Sequence, residues 1–255
     1  MDNRISFIEK YHDNCHDYLK RYYIERYASK EYKNLLYAII KRIPKLDICD
    51  DTNPNDYDKI IVCDQHAVIF GASCHQKSIL ATYALNSCIG LIMYAPAYRV
   101  GSVSHFDGLP GYSKEHARED GLDISFSPVQ YNIDVILRKI RSYCKTDDNI
   151  LIQFYLVGGI FDLSEVMIHD ILYYLSSIDS RYRFDFRGRN LLGPENQSRN
   201  ICLNTMNGKI THFDIFDNSE KYLYQRSDEG IADNIISAPY INAAILDVTW
   251  LPKIC

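Results

Sequence analysis

No stretch of this sequence is both apolar and long enough to cross a bilayer, so no membrane span is expected. The first residues, MDNRISFIEKYHDNCHDYLKRYY, lack the apolar core of a Sec signal, and a cytoplasmic chain is expected unless another route exports it. The eight cysteines (15, 49, 63, 74, 88, 144, 202, 255) form no CxxC pair and read as reduced thiols, which excludes a disulfide framework. Positive charge is in deficit. Lys and Arg number 28 against 33 Asp and Glu, the net charge is −5, and no basic run is dense, so a general nucleic-acid binder is excluded. Internal repeats and low-complexity tracts are absent too. Asp47, Asp50, Asp51, Asp56 and Asp58 have no EF-hand glycine or terminal glutamate in register and read as a solvated linker. Gly158-Gly159 lacks a phosphate-loop continuation and reads as a close backbone turn.

What is present suits a large core. Hydrophobic residues make up 47% of the 255, and 21 tyrosines add apolar area with hydroxyls left for the surface. Residues 2–43 read as helical, with Ile5, Ile8, Tyr11, Cys15, Tyr18 and Tyr22 on one face and Leu35, Leu36, Ile39 and Ile40 on a second. A turn-forming linker follows at 50–56. Short strands are expected at 59–63, 67–70, 79–85, 89–94 and 100–106, then a polar loop at 107–128 and a helix at 129–144. Strand 150–157 precedes a helix to about 176 with Ser164 as N-cap. Strands at 182–186, 199–203 and 209–213 complete the pattern, with Asn207-Gly208 as a two-residue hairpin signal.

Strict strand–helix alternation is missing. The expected fold is therefore α/β with a mixed, largely antiparallel sheet core, a layered sandwich flanked by helices, plus an added helical N-terminal region. The expected division is a helical extension at 1–56, a core domain at 57–214 and a C-terminal appendage at 215–255 packed on it.

The most informative stretch is Thr82 to Asp107, TYALNSCIGLIMYAPAYRVGSVSHFD. Cys88 follows the polar turn Asn86-Ser87, and His105 closes the second of two apolar runs joined by Ala95-Pro96-Ala97-Tyr98-Arg99. Folding that hairpin back sets the thiol beside the imidazole, the minimum apparatus for covalent acyl chemistry. Other groupings are weaker. Cys63, His66, Cys74 and His75 make an awkward tetrahedral set because two are neighbours, and structural roles are expected there. His12, Cys15 and His16 sit on a helix whose adjacent residues face apart.

Around Cys88 the chain resembles the CheD family of chemoreceptor glutamine deamidases and the related lethal-factor-type toxin deamidases. Thr82 lies six residues before Cys88 and His105 seventeen after it; Asn86-Ser87-Cys88 stands at the turn, and His105-Phe106 with Leu109-Pro110 echoes the second strand and its exit. Leu156-Val157-Gly158-Gly159, Arg187-Gly188-Arg189-Asn190, Ser198-Arg199-Asn200 and Asn207-Gly208-Lys209 extend the likeness over roughly 59–214. Ala84 and Asn86 depart from the family's glycine-rich turn, and the two extensions have no counterpart in the compact chemotaxis enzymes.

The resemblance implies a cysteine-dependent protein-glutamine glutaminase. Cys88 would attack the carboxamide, His105 would shuttle the proton, and Thr82 would orient the ring. Backbone N–H groups of Ser87 and Cys88 would hold the oxyanion, with Asn86 as a further contact. Asp107 reads as a loop cap first and as a substrate contact second. No metal or other cofactor is implied. The implied partner is a protein substrate carrying the target glutamine, and the extensions point to a bacterial effector or toxin acting in a host cytosol. The alternatives are a catalytically idle CheD-like binding module, a chemotaxis-type receptor deamidase, or an enzyme using the same thioester for ester or peptide hydrolysis or transglutamination.

Overall fold

The computed structural model describes residues 30–46, 48, 59–63, 67–106, 128–144, 149–161, 164–178, 181–194, 197–212, 235–237 and 244–247. Residues 1–29, most of the linker, the 107–127 loop with Asp107, and His66 lie outside that description.

The fold is α/β, with two sheets and one helical layer. Strands β1 (Ile60–Cys63), β3 (Ile79–Thr82), β8 (Ile201–Asn204) and β9 (Ile210–His212) form a four-stranded sheet in the order β1-β3-β8-β9. The larger sheet contains β2 (Ala67–Ala72), β4 (Ile89–Ala95), β5 (Val100–Phe106), β6 (Ile150–Ile160), β7 (Tyr182–Gly193), β10 (Ile235–Ser237) and β11 (Ala244–Asp247). Its order is β10-β11-β2-β5-β4-β6-β7, and only the β11–β2 and β6–β7 pairs are parallel.

Alternation along β4 and β5 decides what each face of the large sheet touches. Ile89, Leu91, Met93, Val100 and Phe106 join a core with α1 (Lys30–Arg42), α2 (Pro128–Tyr143) and α3 (Glu165–Ser177). Cys88, Ile92, Tyr94 and Val103 point the other way and pack with Ile61, Cys63, Leu80, Ile201 and Leu203 of the small sheet. Both faces are covered, which is why these strands read as nearly unbroken apolar runs.

Three expectations need correction. β3 stops at Thr82, because Ala84 takes a left-handed φ of 55° that cannot continue a strand. The Arg187–Asn190 segment is no turn: β7 runs straight through it, and a bulge opposite Phe154/Tyr155 absorbs Arg187. The β8–β9 connection is longer than two residues, closing from Asn204 N–H to the Lys209 carbonyl at 3.0 Å. Gly208 sits there at φ 74°, where an added Cβ would lie 2.4 Å from the Tyr94 ring. Ser164 is the N-cap of α3 as expected, without a side-chain cap hydrogen bond. The C-terminal region contributes strands β10 and β11 to the end of the large sheet.

Candidate active site

The β4–β5 hairpin folds back as its sequence implies, with Ala95 opposite Val100 and Gly90 opposite His105. Cys88 immediately precedes β4 and shares the face of Gly90, so it is the diagonal neighbour of His105. Such neighbours stand roughly 7–8 Å apart at Cα, within reach of long or aromatic side chains. Gly90 has no side chain to intervene, and an added Cβ there would strike Leu85 Cδ1 at 2.7 Å. The register therefore sets Cys88 and His105 on the face that looks toward the small sheet, with Leu85 packed over Gly90 beside them.

Thr82 enters from the small sheet, where it pairs with Cys63 of β1 and Ile201 of β8. Its hydroxyl donates to the Cys63 carbonyl at 2.9 Å and lies 3.0 Å from His105 Nδ1. A hydroxyl has one proton, and a carbonyl can only accept. The Thr82 proton is thus committed to Cys63, and its oxygen must receive Nδ1–H from the ring. In the neutral imidazole this places the basic lone pair on Nε2, the tautomer a general base requires.

The turn before β4 is held from several sides. Ala84 N–H donates to Asn200 Oδ1 at 2.9 Å, and Asn86 N–H to the Ala84 carbonyl at 2.8 Å. Leu85 exchanges backbone bonds with Arg199, 3.0 Å outward and 3.3 Å in return. The Ser87 carbonyl accepts from Ser164 Oγ at 2.7 Å, and the Cys88 carbonyl from Gly159 N–H at 3.0 Å. Gly158 has φ 105°, and a Cβ there would lie 2.2 Å from the Cys88 oxygen, so only glycine permits this approach.

Arg199, 5% exposed, spans the same corner. Its guanidinium reaches Asn190 Oδ1 at 3.1 Å, Gln197 Oε1 at 3.1 Å and the Gly159 carbonyl at 3.4 Å. Burial pulls its pKa below the ordinary arginine value. Ser164 and Arg199 were absent from the candidates read in the sequence. Serine before a helix reads first as a cap and arginine in a loop as solvated; the Ser87 and Gly159 carbonyls that they reach lie 77 and 40 residues away.

Of the residues singled out by sequence, Thr82 and His105 are in direct contact, and Cys88 lies two residues before Gly90, the strand partner of His105. Ser87 and Asn86 form the half-buried rim, and Asp107 lies outside the described residues. Cys88 is 6% and His105 3% exposed, and the nearest exposed residue before the thiol is Ala84. His75 of the awkward metal grouping is occupied structurally: Nδ1 accepts from Ala72 N–H at 3.2 Å, and Nε2 pairs with Tyr143 Oη at 3.2 Å. No helix among the described residues is long and apolar enough to cross a membrane.

No protein-family model matches the sequence. A solved structure titled a Bacillus licheniformis hypothetical protein YfiH aligns over 51% of this chain and 64% of its own, at 8% identity. Its TM-score of 0.30 is too low to bear on fold or site. The uncharacterized protein R721 of Acanthamoeba polyphaga mimivirus is 53% identical over 250 residues, 98% of this chain and 92% of that protein. The chain belongs to the family of that viral protein.

Proposed function

We propose that the protein is a cysteine-dependent deamidase of protein-bound glutamine. The observation that carries this reading is the Thr82–His105 bond, which engages the ring through Nδ1, with Cys88 on the same face of the sheet as His105. In the proposed reaction Cys88 loses its proton to Nε2, and sulfur attacks the carboxamide carbon. The N–H of Cys88 holds the oxyanion while His105 returns the proton to nitrogen. The C–N bond breaks, ammonia departs and a thioester remains. Water, deprotonated by the same Nε2, then attacks that thioester. Glutamate leaves and the thiol is restored.

The proposed setting is an effector acting on a protein of another organism's cell, and the mimivirus relative favours a viral source over a bacterial one. The test is peptide mapping of an amoebal lysate treated with wild type or Cys88→Ser. A glutamine that gains the mass of NH2 becoming OH with wild type alone supports the reading; equal modification by both ends it.

A second reading, an idle relative that binds a protein through this face, is favoured by the burial of Cys88. Iodoacetamide separates the two. A working dyad gives fast alkylation of Cys88 near neutral pH that collapses in His105→Ala, whereas an idle binder gives slow alkylation in both.

A further inference from the structure

A trans peptide points its C=O and N–H in opposite directions, and no described peptide is cis. Whatever fixes the Ser87 carbonyl therefore also aims the Cys88 N–H. Ser164 Oγ donates to that carbonyl at 2.7 Å. The same oxygen accepts from Ile160 N–H at 3.0 Å, so its own orientation is fixed. Ser164 is fully buried, and Gly159 leaves it little freedom, since a Cβ on that glycine would lie 3.0 Å from Ser164 Cβ.

The next peptide is held likewise, its Cys88 carbonyl taking the Gly159 N–H. The end of β6 and the residue that precedes α3 thus hold two successive carbonyls of the turn. Helix capping does not explain this, because Ser164 makes no side-chain cap bond.

We infer that Ser164 is a positioning residue, whose bond to the Ser87 carbonyl aims the Cys88 N–H at the oxyanion of the reacting amide. The inference rests on the deamidase reading of Cys88 and extends it to a residue on a distant loop. Its hydroxyl never touches substrate. It pre-sets a dipole, and pre-set dipoles lower barriers because they need no reorganisation when charge develops.

The test separates two reactions of one sulfur. Acetylation by p-nitrophenyl acetate passes through a tetrahedral oxyanion, whereas alkylation by iodoacetamide does not and reports only the thiolate. Both are followed at the Cys88 peptide by mass spectrometry. Ser164→Ala is expected to slow acetylation about 10-fold or more, since losing an oxyanion donor outright typically costs ~100-fold or more. Alkylation should stay within about twofold, because thiolate formation is untouched. Ser164→Thr, which keeps the hydroxyl, should restore acetylation, and circular dichroism checks that each variant is folded.

Unchanged acetylation in Ser164→Ala overturns the inference and leaves the deamidase reading standing. A parallel fall in both reactions, or a folded Ser164→Thr as slow as Ser164→Ala, also overturns it, since either marks a merely structural tie. Unfolding of Ser164→Ala with a wild-type Ser164→Thr counts against it in the same way. A wild-type Cys88 inert to both reagents fails the deamidase reading itself, and the inference falls with it.

Discussion

Thr82 and His105 meet across the gap between the two sheets, Oγ1 to Nδ1 at 3.0 Å, with the threonine proton already given to Cys63. One hydroxyl therefore sets a tautomer and joins two layers of the fold. Thr82→Val keeps the shape and removes the hydroxyl, leaving a buried carbonyl and a ring N–H unsatisfied. The expected loss is about 1–3 kcal/mol in denaturant unfolding, together with slower Cys88 alkylation. Thr82→Ser should retain most of both.

Gly158 admits no side chain. Alanine there needs a left-handed backbone, costing about 1–2 kcal/mol, and must push a Cβ away from the Cys88 carbonyl, 2.2 Å off. Overpacking of that kind adds about 1–3 kcal/mol. Gly158→Ala should lower the melting temperature markedly and abolish Cys88 reactivity in whatever fraction stays folded. A melt equal to wild type would contradict the close approach.

The cysteines should separate by environment near neutral pH. Cys74 is exposed and should label first with a bulky maleimide. Burial pushes the Cys144 thiol up, partly offset by a hydrogen bond from Tyr98 and the nearby Arg141, so that thiol should be slow. Cys63 and Cys202 are buried and should label only on unfolding. Cys88 should outrun Cys144 with small iodoacetamide in wild type and fall behind it in His105→Ala.

Alkaline stability follows from four tyrosines. Burial is the chief cause that raises Tyr83, Tyr94, Tyr155 and Tyr182 above 10.0. Each keeps its proton in the folded state at a pH where the unfolded chain gives it up, so unfolding gains free energy as pH climbs. Their contribution is complete below pH 10.0 and is lost as pH rises through the folded values. Tyrosinate absorbance should show a late phase that coincides with loss of the circular dichroism signal. A single early phase with the fold intact would contradict it.

The hairpin was legible because its information is local: two apolar runs, a proline-containing bend and a fixed spacing from Cys88 to His105. The helix at 128–143 was legible through its apolar period and the one at 165–177 through the serine that precedes it. β7 was read too short because Gly188 looks like a breaker in isolation. In the fold that glycine is where Leu46 packs, 3.2 Å from a would-be Cβ. Ser164 and Arg199 were opaque for a related reason. Their partners, Ser87 and Leu85, lie far back along the chain, and no local pattern encodes a hydrogen bond that exists only after β6 docks beside β4.

Strand order also governs when the chain becomes competent during synthesis. Thr82, Cys88 and His105 all emerge early, yet β3 lies between β1 and β8, and β8 begins only at Ile201. A nascent polypeptide that has released the hairpin still lacks the neighbour that pins β3, the Arg199 brace and the glycine pair that packs on the Cys88 carbonyl. The surroundings of Thr82, Cys88 and His105 are therefore complete only once most of the chain has left the ribosome.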